Sequence, residues 1–287
     1  MSNITPQMVK TLRDKTGAGM ADCKKALEEN NGNMDEAIDF LRKKGAASAA
    51  KRAEREAKEG AIVARTSADG KKAILVEINS ETDFVAKNAD FVKYTQNVAE
   101  ALINSEANTL EELMKVSVAG TTVENLHNDV LAKFSEKIEI RRIKRIVSQG
   151  YIESYIHAGS KLAVLVEVSC DKMSANGKTL LRDVAMQIAA MNPIHVDKSD
   201  VSAETLAKEK VIYIEQAIAE GKKPEIAERI ATGRIEKYYE DFCLLQQHFV
   251  KDGSKVVANV LADIAKDCGC GDVKVLSFVR YALGESD

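Results

Sequence analysis

The apolar positions of residues 1–45 recur three and four apart, a spacing typical of short amphipathic helices. Thr5 can cap a first helix with Pro6 at its first position, and Asn33 can cap a third. Gly45 is predicted to end that third helix. The pattern therefore predicts a compact unit of three helices. Its inward-facing residues are expected to be Val9, Leu12, Cys23, Ala26, Leu27, Ile38 and Leu41.

Two later segments of the chain resemble each other. The run AILVEIN (residues 73–79) matches AVLVEVS (residues 163–169) in residue type throughout and in identity at four positions. Each follows a β-rich stretch and a turn with glycine and lysine, which predicts an antiparallel hairpin. Helical patterns follow at residues 91–102 and 180–191, so a spacing of about ninety residues holds through both elements. The core is therefore predicted to be α+β, a duplicated pair of antiparallel hairpins packed with helices.

An insertion of helical character, at about residues 200–245, interrupts the second half. Ser202 can cap its first helix, and Gly221 with Pro224 indicates a stop and a restart. Two antiparallel helices with a narrow apolar seam are typical of a projecting coiled-coil hairpin, and two helices lying flat on the core are the alternative. The predicted seam residues are Ala207, Val211, Ile214, Ile218, Ile226, Ile230, Ile235, Tyr239 and Phe242.

The length of 287 residues is sufficient for roughly two or three domains. We predict a helical domain at residues 1–45, a linker at 46–60, a first core subdomain at 61–147 and a second at 148–287 that carries the insertion. The chain is 45% hydrophobic and 30% charged, and its net charge of −3 gives no global attraction to nucleic acid or anionic lipid. No signal-peptide pattern and no long apolar run are visible, so we expect a cytoplasmic protein without membrane contact.

The segment at residues 42–60 is rich in alanine and charge, with seven basic residues against three acidic ones. It contains no aromatic residue on which a nucleic-acid base could stack. A solvated linker or exposed helix is the favoured interpretation. An RNA-contacting stretch through Lys51, Arg52 and Arg55 is the alternative.

Five cysteines are present. Cys23, Cys170 and Cys243 stand in helical or strand patterns and are predicted to be small buried apolar residues. Cys268 and Cys270 could supply half of a zinc site, but no second cysteine pair or paired histidine stands at a suitable spacing. We therefore predict no metal site and interpret the CGCG sequence as a turn between a helix and a strand.

Candidate catalytic groups are few. The glycines of TGAGM lie between helices and lack the Gly-Lys-Ser/Thr of a phosphate loop, and paired carboxylates such as Glu81 and Asp83 have no environment that would separate their pKa values. No nucleophile motif or zinc spacing includes any of the four histidines, His127, His157, His195 and His248. We therefore expect a multi-contact binding protein without side-chain catalysis or a cofactor.

The sequence SETDFVAKN, residues 80–88, joins a predicted strand to a predicted helix. On pattern alone, Phe84 and Val85 would begin the buried face of that helix. Thr82 or Asp83 would cap its N-terminus, where a carboxylate offsets the helix dipole. This interpretation gives the segment a structural role only.

Six segments of the sequence carry a resemblance to a known protein family. They are TGAGMADCKKALEENNGNMDEAIDFLRKKG, ETDFVAKN, IRRI, SYIHAGSKLAVLVEV, MQIAAMNP and GRIEKYYEDFCLLQQHFVKD. In this order they closely resemble the segments of the bacterial translation elongation factor Ts family, and the likeness runs from about residue 4 to residue 284. The Thr-Asp-Phe-Val and Thr-Gly-Ala-Gly-Met elements are very specific to that family.

The resemblance implies a guanine-nucleotide exchange factor for elongation factor Tu, the GTPase that carries aminoacyl-tRNA. It also implies an N-terminal ubiquitin-associated-like domain, two related core subdomains and a helical arm. In the family, the Thr-Asp-Phe-Val element docks beside the nucleotide site, with the phenyl ring as a wedge between helices and the carboxylate disturbing the surroundings of Mg²⁺. By match these residues are Thr82, Asp83, Phe84 and Val85. Self-association and a two-to-two complex with the partner both stay open.

Other family contacts carry over to Lys24 in the helical domain and to His157 after Ser-Tyr-Ile. The simpler interpretations are a solvated lysine and a polar residue at a strand end. A further contact falls on Phe134, Ser135 and Glu136, where the family usually has Ile-Gly-Glu. Loss of the glycine removes the option of an unusual backbone angle at this contact.

Two other functions are compatible with parts of the pattern. One is a binding module that captures other proteins through the ubiquitin-associated-like domain. The other is an RNA-binding factor that uses the basic segment. In the favoured interpretation, the protein forms no stable complex with nucleic acid. Neither explains Thr-Asp-Phe-Val at the junction of a strand and a helix.

Overall fold

The structure is a computed structural model that describes residues 4–285, and it combines helices with antiparallel sheets. The helices are α1 (Pro6–Thr16), α2 (Met20–Glu29), α3 (Met34–Ala50), α4 (Asp83–Ala86), α5 (Ala89–Ile103), α6 (Leu110–Met114), α7 (Val123–Lys133), α8 (Ala175–Met191), α9 (Ala203–Ala219), α10 (Pro224–Phe242) and α11 (Val257–Cys268). The strands are β1 (Glu59–Thr66), β2 (Lys72–Ser80), β3 (Ser117–Val118), β4 (Thr121–Thr122), β5 (Ile138–Val147), β6 (Tyr151–Ile156), β7 (Leu162–Val168), β8 (His248–Phe249), β9 (Asp252–Val256) and β10 (Val275–Ala282). Within the described residues, every helix is too short or too polar to cross a membrane.

Helices α1 to α3, here called the head, form the predicted three-helix unit. The hydroxyl of Thr5 accepts a hydrogen bond from Met8 N at 3.2 Å, and Pro6 follows at the first helical position. Asn33 Oδ1 accepts a hydrogen bond from Glu36 N at 3.3 Å, as predicted for a cap. The buried residues of the head are Val9, Leu12, Ala18, Cys23, Ala26, Leu27, Ala37 and Leu41.

The prediction that Gly45 ends the third helix is wrong, because α3 continues to Ala50. Gly45 instead lies where α3 crosses α7, and a Cβ atom built on it would be 2.7 Å from Ala132 Cα. The missing side chain therefore lets the two helices approach closely. Near this crossing, Arg42 Nη2 donates a hydrogen bond to Asp129 Oδ2 at 3.0 Å. The head thus packs directly on the core.

This crossing makes Gly45→Val an informative change. We expect the variant to lower the free energy of unfolding by about 2 kcal/mol, because overpacking a tight contact costs about 1–3 kcal/mol. The matched control is Ala47→Val on the exposed side of the same helix, which should change it by less than about 0.5 kcal/mol. Urea unfolding measures both, and a Gly45→Val variant as stable as the wild-type protein would contradict the close crossing.

The two halves of the core share one topology, in agreement with the internal repeat. In the first half, β2 lies between β1 and β5, and in the second half β7 lies between β6 and β10. Each central strand is the second strand of a hairpin, and α5 and α8 pack against the two sheets. Both hairpins and both helices agree with the elements predicted from the sequence.

The two sheets pack against each other through the faces turned away from their helices. Strand β2 is consequently buried on both faces, which explains why residues 73–79 are largely apolar without a clear alternation. The buried residues between the two sheets form one hydrophobic cluster with members from both halves. They are Ile62, Ala64, Ala73, Leu75, Ile152, Ala163 and Leu165. The two halves therefore share one interior.

Helices α9 and α10 form the predicted pair, and Ser202 Oγ accepts a hydrogen bond from Thr205 N at 3.0 Å at its start. The predicted seam is wrong at Val211, Ile218 and Ile226, which are 54%, 46% and 48% exposed. Tyr239 and Phe242 do pack against the buried cluster that contains Tyr238. Small side chains occupy most of the buried positions of the pair. The buried residues of the pair are Ala217, Ala227, Ala231 and Tyr238.

Cys170 and Cys270 form a disulfide with their Cα atoms 6.7 Å apart, which ties the residues after β7 to those before β10. Cys170 is buried as predicted, but its disulfide was not predicted, whereas Cys23 and Cys243 are free and buried. Gly269 ends α11 with a φ of 66°, so the CGCG sequence does form a turn between a helix and a strand.

Tyr94 and His127 form a hydrogen-bonded pair, with Tyr94 Oη 2.7 Å from His127 Nδ1. Tyr94 also lines a cavity of about 460 Å³ between the head and the first half. Burial lowers the pKa of His127 to about 4 and raises the pKa of Tyr94. The folded protein therefore holds a neutral imidazole in a range where the unfolded chain, with a histidine pKa of about 6.5, binds a proton.

This difference predicts a loss of stability in acid. As the pH falls from about 6.5 towards 4, the unfolded state binds the proton first, so His127 should make the protein about 2 kcal/mol less stable at pH 5 than at pH 7. Urea unfolding of the wild-type protein and of His127→Gln at both pH values measures the effect. The variant should lose less stability than the wild-type protein, and an equal loss in both would contradict the neutral imidazole.

Candidate functional site

Residues 82–85, here called the TDFV turn, begin the single-turn helix α4 between β2 and α5. Thr82 caps α4, because its hydroxyl accepts a hydrogen bond from Val85 N at 3.4 Å. Val85 is buried in the core of the first half, as predicted. The prediction that Phe84 also begins a buried helix face is wrong, because this side chain is 83% exposed.

The exposure of Phe84 sets it apart. Among the described residues it is the most exposed of the large hydrophobic side chains. Burial of such a side chain is favourable by about 1.5–3 kcal/mol. Because the phenyl ring is exposed in the free protein, this free energy is available when the ring is buried against another molecule. The turn therefore combines an anchor in the core, Val85, with an aromatic group that is free to enter a partner.

Asp83 lies beside the phenyl ring and pairs with Lys87, with Asp83 Oδ2 2.7 Å from Lys87 Nζ. The hydrogen bond from Lys87, followed by its charge, lowers the pKa of Asp83, and the same pair raises the pKa of Lys87. Both groups are solvated, so Asp83 presents a negative charge at neutral pH. The spacing of four residues on a helix is a signal visible in the sequence.

The segment at residues 134–137 lies against the TDFV turn. Glu136 accepts hydrogen bonds from Thr82 N at 3.0 Å and from Thr82 Oγ1 at 2.7 Å. Glu81 in turn accepts a hydrogen bond from Lys137 N at 2.5 Å. The structure therefore brings Glu136 and the turn together, although 54 residues separate Glu136 from Thr82 in sequence.

The lost glycine of this segment does not require an unusual backbone. Phe134 ends α7 in an extended conformation, with φ −103° and ψ 136°, and its ring packs against the core of the first half. Ser135 is exposed and is not among the non-glycine residues with positive φ in the described part of the chain. Side chains are therefore accommodated at both positions.

The other two predicted contacts lie in different units. Lys24 is on α2 of the head, with its side chain 65% exposed and its Nζ 3.7 Å from Glu28 Oε1. His157 is exposed after β6 in the second half, and its Nδ1 lies 2.9 Å from Tyr155 Oη. A partner that contacts Lys24, the TDFV turn and His157 must therefore cover the head and both halves of the core.

A cavity of about 360 Å³ connects the TDFV turn with the second half. Asp83 and Lys87 line it from the first half, and Ile156 and Lys161 line it from the hairpin that carries His157. The structure thus brings Asp83 and the residue before His157 to one surface.

Arg52 lies beside the segment at residues 134–137 and departs from the sequence prediction. It is 7% exposed, and its Nη1 donates hydrogen bonds to the carbonyl oxygens of Phe134 at 2.9 Å and Glu136 at 2.6 Å. The interpretation of residues 42–60 as a solvated face is therefore wrong at Arg52, and this guanidinium is occupied within the protein. Nothing in the local sequence separates Arg52 from the exposed Lys51.

These features are typical of a surface that binds another macromolecule. They comprise an aromatic side chain on an anchored turn and a charged carboxylate beside that side chain. Groups of three or more potential metal ligands are absent from the part of the chain that the structure describes.

Comparison with known proteins specifies the class. The family model for elongation factor TS matches residues 81–285. An elongation factor Ts of Clostridium kluyveri is 46% identical over 286 residues, covering 98% of this chain and 93% of the relative. That of Chloroherpeton thalassium is 46% identical over 293 residues, covering 99% of this chain and 100% of the relative. The chain belongs to the elongation factor Ts family of translation factors.

Proposed function

We propose that this protein is a guanine-nucleotide exchange factor for elongation factor Tu. It binds the GDP form of the GTPase, promotes the release of GDP and so allows GTP to bind during polypeptide elongation. Family membership supports the reaction. The observation that carries the mechanism is the 83% exposed Phe84 beside the buried Val85, because an apolar wedge must be both free to insert and held at its base.

The mechanism is a displacement of the groups that hold the nucleotide. In the proposed complex Phe84 inserts between helices of the GTPase next to its nucleotide site, and Asp83 brings a negative charge near the bound Mg²⁺. GDP is held largely by Mg²⁺ and a phosphate loop, so a small shift of these elements removes electrostatic stabilisation in a poorly solvated site. The protein needs no reacting side chain for this process.

Exchange is also a coupling of two binding equilibria. The factor by which this protein weakens GDP binding equals the factor by which GDP weakens the binding of this protein. A coupling of ~3 kcal/mol corresponds to about 150-fold, and a larger effect needs several contacts acting together. Lys24, His157, Phe134 and Ser135 are the proposed additional contacts, whereas the carboxylate of the neighbouring Glu136 is bound to Thr82.

The remaining parts of the architecture have matching roles in this proposal. The head is a ubiquitin-associated-like domain that meets the GTPase, and α9 with α10 is an antiparallel coiled-coil arm. The three-helix core of the head and the alanine-rich contact between α9 and α10 support these assignments. The protein works in the cytoplasm, as one copy per GTPase or in a two-to-two assembly.

Release of a fluorescent GDP analogue from the cognate elongation factor Tu tests the proposal. Excess unlabelled GDP prevents rebinding, and the release rate is followed by stopped flow at increasing concentrations of this protein. The rate should rise with concentration and then saturate at a value at least about tenfold above the intrinsic rate. An unchanged rate at concentrations where the two proteins demonstrably bind would refute the exchange function.

A further inference from the structure

The TDFV turn cannot hold its own conformation. Helix α4 contains four residues, whereas isolated helices shorter than ~12–15 residues are marginal in water. The buried Val85 and the half-buried Ala86 anchor the turn in the core, and Ser80 Oγ donates a hydrogen bond to Thr82 O at 2.9 Å. The amide and hydroxyl of Thr82 make further hydrogen bonds, which bear on the direction in which Phe84 and Asp83 point.

Thr82 supplies those contacts through Glu136. The amide of Thr82 donates to Glu136 Oε2 at 3.0 Å, and its hydroxyl donates to Glu136 Oε1 at 2.7 Å. Because the hydroxyl proton points to the carboxylate, the hydroxyl oxygen is left to accept the hydrogen bond from Val85 N that caps α4. Hydrogen bonds to an ionised acceptor are about twice as strong as neutral ones. Glu136 thus fixes the position of Thr82 and the direction in which its hydroxyl proton points.

Glu136 is itself fixed from the head. Arg52 Nη1 donates to the carbonyl oxygens of Phe134 and Glu136, and Arg52 Nε donates to Ser48 O in α3 at 3.1 Å. The guanidinium is buried, so solvent does not compete for these bonds. A continuous set of hydrogen bonds therefore runs from α3 through Arg52 and Glu136 to Thr82.

We propose that Glu136 is a positioning residue for nucleotide exchange, and that Arg52 holds it in place. Glu136 orients the TDFV turn before docking, so that binding of the partner does not have to order the turn. Arg52 makes this orientation depend on the packing of the head against the core. The inference rests on the proposed exchange function and assigns Glu136 a role that acts through Thr82 rather than through contact with the nucleotide.

Glu136→Gln isolates this role because it keeps the size of the side chain and removes one of two acceptors. The amide oxygen accepts one hydrogen bond from Thr82, and the amide nitrogen is a donor, so the Thr82 hydroxyl must reverse to accept from it and both bonds lose the charge of the carboxylate. In the free protein, hydrogen exchange of the Thr82 amide should become at least about tenfold faster, since bonds to charged groups are the strong ones. Glu124→Gln, at an exposed position of α7, is the matched control and should leave the Thr82 amide unchanged.

The exchange assay then separates positioning from binding. Glu136→Gln should lower the saturating rate of GDP release about tenfold and change the half-saturating concentration less than about threefold. Arg52→Met should have the same effect, and Lys51→Met, its exposed neighbour, should have none. Since Glu136 acts through Thr82, adding Glu136→Gln to Thr82→Val should reduce the rate less than Glu136→Gln does alone, because Thr82→Val has already removed one of the two shared hydrogen bonds and keeps only the amide donor. Unchanged exchange of the Val76 amide in the core confirms that each variant is folded.

Two results would overturn the inference. One is an unchanged Thr82 amide in Glu136→Gln, and the other is a wild-type saturating rate in a variant whose Thr82 amide has lost protection. The failure of the exchange function itself is distinct, because then the wild-type protein would not accelerate GDP release at all.

Discussion

Phe84→Ala is expected to remove most of the acceleration of GDP release while leaving the protein as stable as the wild type. The saturating rate should fall about 10- to 100-fold, because an aromatic anchor that fills a pocket in a partner contributes about 2 kcal/mol or more. The free energy of unfolding should change by less than about 0.5 kcal/mol, because the side chain is 83% exposed and its removal opens no cavity. Stopped-flow release of labelled GDP and urea unfolding measure the two quantities.

Leu276→Ala is the matched control for this prediction. Leu276 is a large hydrophobic residue of β10 that is 52% exposed, and its truncation removes a comparable apolar surface away from the TDFV turn. We expect wild-type rates from this variant. Loss of stability in Phe84→Ala would show that the phenyl ring belongs to the core, and a wild-type rate would show that another contact drives release.

Glu77→Ala is expected to lower the free energy of unfolding by about 3–5 kcal/mol, the range for breaking a buried ion pair. The Glu77 side chain is completely buried. Its Oε2 lies 2.7 Å from Arg142 Nε, and its Oε1 lies 3.5 Å from Arg141 Nη1. The same Oε1 accepts hydrogen bonds from Asn79 Nδ2 at 3.2 Å and from Gly284 N at 2.9 Å. One carboxylate thus joins β2, β5 and the segment after β10.

The size of the effect follows from what the change leaves behind. Alanine removes the charge that the guanidinium groups of Arg141 and Arg142 approach. It also leaves the buried side-chain amide of Asn79 beside a cavity without its Glu77 acceptor. Urea unfolding should show a much smaller change, below about 1 kcal/mol, for Glu139→Ala, because Glu139 pairs with Lys137 at 3.0 Å in a partly solvated position of β5. A Glu77 variant that is no less stable than the Glu139 variant would contradict the buried network.

Local patterns in the sequence were sufficient for most of the elements. Thr5 and Ser202 cap the helices that were predicted for them, and the repeat of residues 73–79 at 163–169 yields two sheets of the same topology. These features depend on neighbouring residues or on a match between two segments. They can therefore be read from the sequence without knowing which residues meet in space.

The failures share a different origin. Gly45 looks like a helix stop until α7 is placed across it, and Arg52 looks solvated until carbonyl groups 82 and 84 residues away are brought to it. The disulfide likewise joins Cys170 to a residue 100 positions later. Such contacts leave no periodicity in the sequence, so physical reasoning about the sequence cannot find them.

The candidate site was found by resemblance rather than by pattern. The hydrophobicity of Phe84 predicts burial, and the structure shows the opposite, which agrees with the contact to a partner that we propose. The role of Glu136 in holding Thr82 had no signal beyond its place in a family motif. Sequence and structure together therefore locate the TDFV turn and show what supports it.

The most direct test of the exchange function is the affinity of this protein for elongation factor Tu in two states, nucleotide-free and saturated with GDP. An exchange factor must bind the nucleotide-free state more tightly, by the same factor by which it weakens GDP binding. Isothermal titration should show at least about 100-fold tighter binding to the nucleotide-free GTPase. Equal affinities for the two states would contradict the account, because a ligand that binds both states equally shifts no equilibrium between them.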